Sequence, residues 1–147
     1  MENLYPNLSK HLLQLAGETL HTIQSDPDLT RLCERGQDHS LPLEELRKLQ
    51  DEAAQRSVFG DYANLTPKHD AAAVISHAIN VLVDARKGDF KEAWLNLRTF
   101  PNTYALAQCA ESGMPYDAND PEGRELQETI QNSLIARCPD FAPLFAR

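Results

Sequence analysis

The chain has 147 residues, 41% hydrophobic and 24% charged, with a formal net charge of −8. That length suits one domain of ordinary globular composition, with enough apolar content for a core that needs neither disulfides nor metal. The negative charge argues against direct binding to nucleic acid or anionic lipid, and no stretch approaches the ~18 consecutive apolar residues of a membrane span.

Every periodic segment has the helical period, and β-branched alternation is absent. The first helix is expected from about Ser9 to Gln24, where Leu8, Leu12, Leu15, Ala16, Leu20 and Ile23 recur at three- and four-residue steps. Ser25-Asp26-Pro27 is a stop-and-restart signal, with Asp26 as cap and Pro27 as first residue of a short second helix. Leu29, Leu32 and Cys33 face inward there, and Gly36 is expected to end it in a left-handed cap.

A third helix begins near Ser40 and Pro42 and closes at Gly60. Leu43, Leu46, Leu49, Ala53 and Val58 form its apolar stripe, and Glu44 and Glu45 suit its first turn. Residues 60–66 are expected to be a loop.

The fourth helix, 67–87, is capped by Thr66 and opened by Pro67. Ala71, Val74, Ile75, Ala78, Ile79, Val81, Leu82 and Val83 cover most of its circumference. Such a helix must be buried, so it is the expected centre of the fold. Gly88 ends it, and Asp89 caps a fifth helix, 89–100, with Glu92 at the third position. The short connection makes these two helices antiparallel. Phe100-Pro101 is expected to end the hairpin, because proline disfavours helix in the residue before it. A sixth helix then spans roughly Asn102 to Ser112. Asp120-Pro121 starts a seventh, which Pro139 ends, and Asp140 to Phe145 reads as one docked turn. The expected fold is therefore all-α: a single domain over 1–147, with about seven helices around the central 67–87 helix.

Gly88-Asp89-Phe90 with Ala93 and Leu97 resembles the turn and second-helix start of a tetratricopeptide repeat, over about 15 residues. The repeat's first-helix aromatic is missing, Val81 stands where the repeat has a small residue, and no second copy lies about 34 residues away. The likeness implies a helix hairpin.

Motifs with specific chemistry are absent. There is no HExxH, GxSxG, glycine-rich phosphate loop or cysteine pair, so no catalytic residue, metal ligand or cofactor is assigned. Cys33, Cys109 and Cys138 are widely spaced and read as reduced residues of a cytoplasmic protein. The N-terminus has no basic-then-apolar secretory signal. His69, His77, Asn80 and Asp84 share one face of the fourth helix, which suggests either an acid–base site or a solvated stripe. His69 and His77 stand about 12 Å apart along the axis, too far to hold one metal alone.

The charge is uneven. Glu111, Asp117, Asp120, Glu122, Glu125 and Glu128 face Arg124 alone within 111–128. These six carboxylates are the candidate partner-binding surface. A secondary basic patch, Arg86, Lys87, Lys91 and Arg98, flanks the 88–89 turn. The leading expectation is a non-enzymatic interaction protein of inhibitor, immunity or adaptor type. Its partner would be a basic or nucleic-acid-binding protein, and the opposed patches also permit a homodimer. A helical chaperone or scaffold with an apolar groove, and a small enzyme or metal protein centred on His77, are the alternatives.

Overall fold

A computed structural model describes residues 4–58 and 66–146. Among them are eight α-helices and no strand: α1 (Tyr5–Thr19), α2 (His21–Ser25), α3 (Pro27–Gly36), α4 (Leu43–Val58), α5 (Pro67–Arg86), α6 (Phe90–Ser112), α7 (Pro121–Arg137) and α8 (Ala142–Phe145). A 3₁₀ turn, Pro139–Phe141, joins α7 to α8. The fold is all-α, as the sequence pattern requires. Gly60 and most of the expected 60–66 loop lie outside the described residues.

Helix α5 is the axis of the molecule. Ten of its residues are buried, including Val74, Ile75, Ile79, Val81 and Leu82. It packs chiefly against α4 and α6, and also touches α1, α2 and α3. Neighbours on several sides explain why the apolar residues wrap around it instead of forming one stripe. Gly88 and Gly113, at φ +81° and +68°, supply the left-handed turns that end α5 and α6.

Three expected boundaries differ. The first helix is broken at Leu20, whose backbone is extended (φ −90°, ψ 106°). The free amide of Thr22 at the start of α2 donates to the Glu111 carboxylate, which substitutes for a local cap. The periodicity carried on through Leu20 because that residue, like Ile23, is still buried.

Gly36 is not a left-handed cap. It is the buried last residue of α3, and a Cβ there would stand 2.3 Å from Leu13 Cδ1. The Leu13 side chain of α1 packs into the space a Cβ on Gly36 would take.

Pro101 does not end a helix; α6 runs through it to Ser112. Proline inside a helix costs about 3 kcal/mol, because it has no N–H for the carbonyl four residues back. Phe100 and Tyr104 on the same helix are buried, each contributing about 1.5–3 kcal/mol. Packing on both sides of the proline outweighs its local preference.

Candidate functional site

The carboxylates of 111–128 fall into two groups. Glu111 is half-buried and turned toward α2, where it accepts from the Thr22 amide. It leaves the proposed surface and becomes an interhelix cap. The other five lie on the strap 113–120 and on α7. Asp117 Oδ1 accepts from the Asn119 amide at 2.9 Å, which folds the strap into a tight turn. Asp120 Oδ1 accepts from the Gly123 amide at 2.7 Å and caps α7. Glu122, Glu125 and Glu128 are exposed on α7. None of the five takes part in an ion pair among the described residues.

Between the strap, the end of α6 and the start of α7 is an open cleft of about 330 Å³. Its lining pairs two chemistries. Asp117, Asp120, Glu122 and Glu125 supply carboxylates; Cys109, Met114, Pro115 and Leu126 supply apolar surface. Met114 is 63% exposed, an unusual degree for a long apolar side chain. Glu128 lies outside the lining.

The strap is held in place by Tyr116. Its hydroxyl donates to Asn102 Oδ1 on α6 (2.6 Å) and accepts from Gln127 Nε2 on α7 (2.9 Å). Burial pushes the Tyr116 hydroxyl above its ordinary pKa, and does the same to the Cys109 thiol. Both groups are therefore neutral near pH 7. Gly123 is a second fixed point: a Cβ there would lie 1.9 Å from the Asp117 carbonyl oxygen. The strap passes over α7 at a distance only glycine tolerates. Sequence reasoning found the acids but missed Met114, Tyr116 and Gly123, which give them a cavity. Glycine at the third position of a capped helix, where propensity disfavours it, was the available signal.

The stripe on α5 is half-buried and hydrogen-bonded, not a free solvated face. His69 Nδ1 accepts from the Thr66 backbone amide at 3.0 Å, completing the start of α5. Asn80 Oδ1 accepts from Gln50 of α4. Asp84 Oδ2 accepts from Asn96 Nδ2 at 2.9 Å. His77 lies between α5 and α6, edge-on to Phe100. Its Nε2 is 2.7 Å from the Asn96 carbonyl oxygen, which can only accept, so Nε2 carries the proton of the neutral ring. Nδ1 then accepts from the Thr103 hydroxyl at 2.8 Å. Burial holds His77 below the usual histidine pKa, and the Asn96 carbonyl only partly offsets that. His69 caps its own helix, and the other three side chains join α5 to α4 or α6. Among the described residues no group of three or more His, Cys, Asp or Glu is placed to hold a metal ion.

The basic patch is also divided. Arg86 lies over the Tyr5 ring, 5.2 Å from its centroid. Arg98 donates to the Leu144 carbonyl at 3.4 Å and tethers α8. Lys87 and Lys91 are exposed, with no ion-pair partner among the described residues. Cys33 is buried, donates to the Leu13 carbonyl at 2.9 Å and is pushed up to about 11 by burial, an inert thiol. All three cysteines are free, and no described helix is long and apolar enough to cross a membrane.

No family model, curated protein or solved structure matches this chain.

Proposed function

We propose that this protein is a non-enzymatic interaction module of inhibitor or adaptor type. It binds a basic protein partner through the cleft between the 113–120 strap and α7. The observation that carries this reading is the composition of one cavity: four carboxylates together with the apolar side chains of Met114, Pro115, Leu126 and Cys109. A lysine or arginine side chain has the matching form, an aliphatic stem under a cationic head. Partly desolvated in the cleft, the head would gain more from the carboxylates than it does in open water. Three free cysteines suit a reducing compartment such as the cytoplasm.

The acid–base alternative loses its support because both ring nitrogens of His77 are engaged in joining α5 to α6. The apolar-groove alternative has little surface to work with: Leu95, Leu106 and Met114 are the large hydrophobic residues exposed among those described.

The test is affinity capture from the native cell, with the wild type and a Glu122→Lys, Glu125→Lys, Glu128→Lys variant as paired baits. The exchanged residues do not cap α7, so the helix survives. A basic partner held by the wild type should be lost from the variant, with an association rate that falls as salt rises. A partner retained equally by both baits, or none at all, would end the proposal.

A further inference from the structure

The outer face of α6 is organised around its own midpoint. Leu95 and Leu106, at 43% and 44% exposure, are the large hydrophobic side chains on it that stand open to water. Eleven residues separate them, about three turns, so they share one azimuth to within roughly 20°. Thr99 and Asn102 are exposed between them. At the N-terminal end of this face stands Lys91, exposed and outside every ion pair among the described residues. Five turns further along, at the same azimuth, is Cys109, in the wall of the acidic cleft. Glu92, the residue after Lys91, lies about 100° round the helix.

A two-fold axis perpendicular to α6 near residues 100–101 turns this arrangement onto itself. Two copies packed antiparallel along these faces bring Leu95 of each against Leu106 of the other. Lys91 lies about 14 Å from the midpoint and Cys109 about 13 Å, on the same side. Each Lys91 therefore arrives at the mouth of the other copy's cleft, among Asp117, Asp120, Glu122 and Glu125. This is the self-complementarity that an isologous dimer requires.

We propose that a second copy of this chain docks antiparallel on the outer face of α6, with Lys91 of each copy seated in the acidic cleft of the other. The proposal shares its cleft with the function inferred above but needs no other protein. One helix face is a small interface, so the dimer is weak and reversible. A basic partner and the second copy compete for the same carboxylates, and self-association keeps the cleft occupied until the partner arrives.

Sedimentation of the full chain between about 5 and 200 µM, the range in which a weak dimer dissociates, tests this. The wild type should move from monomer toward dimer mass as concentration rises. Leu106→Lys and Lys91→Glu should each stay monomeric with an unchanged helical circular dichroism spectrum. Lys91→Glu combined with Glu122→Lys and Glu125→Lys should regain part of the dimer, because two lysines then offset the two aspartates left in the cleft and the introduced glutamate is no longer repelled. A wild type that remains monomeric throughout would overturn the proposal, and so would a dimer that survives both single substitutions. A monomeric wild type that still binds a basic partner removes only this inference; a wild-type dimer without any partner removes only the proposed function.

Discussion

Gly123→Ala sets two physical effects against each other. Gly123 is buried at the third position of α7. Helix propensity alone favours alanine there by about 1 kcal/mol. The strap opposes it: the new Cβ would lie 1.9 Å from the Asp117 carbonyl oxygen and 2.9 Å from its carbonyl carbon. A backbone carbonyl cannot rotate aside like the end of a flexible side chain. Either the strap lifts, which breaks the Tyr116 bonds to Asn102 and Gln127, or the Asp120 cap opens. Overpacking costs about 1–3 kcal/mol, and a lost cap adds about 1 kcal/mol. Subtracting the propensity gain leaves a net destabilisation of about 1–3 kcal/mol. In a chain of this size that is a Tm lower by roughly 2–4 °C per kcal/mol. Denaturant unfolding gives the energy, and the environment of Tyr116, followed by NMR, shows whether the strap moves. A Gly123→Ala protein more stable than the wild type, with Tyr116 undisturbed, would show that the strap does not lie against α7.

Two further outcomes can be measured with the same material. His11 and His77 both have pKa values depressed by burial. The unfolded chain therefore takes up protons near pH 6.5 that the folded chain refuses, and stability should fall as pH drops from about 6.5 toward the folded values, then level off. Denaturant melts at pH 7.5 and 5.5 check the sign, and His77→Phe should reduce the difference between them. Glu111→Ala should cost about 1 kcal/mol by leaving the α2 amide of Thr22 without its partner, without altering any binding at the cleft; thermal melts and the partner assay separate the two effects.

Much of the architecture was legible because it follows from periodicity and caps. The central helix, the Asp26-Pro27 restart, the stop at Gly88 and the capped start of α7 are local signals acting on neighbouring backbone. The misjudged points were those where distant residues decide. Pro101 would end an isolated helix, but burial of Phe100 and Tyr104 holds α6 together through it. Leu20 fits the apolar period, yet the chain breaks there and Glu111, eighty-nine residues away, caps the next helix. Gly36 looks like a terminator and is a contact with Leu13. The polar face of α5 was visible as a pattern, but its partners Gln50, Asn96 and Thr103 come from other helices, and no spacing rule could pair them.

The acidic segment shows why charge counting overstates a binding surface. Of its six carboxylates, Glu111 accepts from α2, Asp117 folds the strap and Asp120 caps α7. Glu111 joins α6 to α2, and the two aspartates shape the cleft, all through bonds that hydrogen-bonding geometry fixes. Glu122, Glu125 and Glu128 make no such bond, and they alone can be reversed without undoing the scaffold. Changing all six at once would mix collapse of the cleft with loss of charge, and any loss of binding would then be uninterpretable. Reversing the three free glutamates, with Gly123 and Tyr116 left intact, changes the electrostatic field at a cleft whose shape is preserved. Only in that comparison does a change in affinity report on carboxylate–cation attraction rather than on folding.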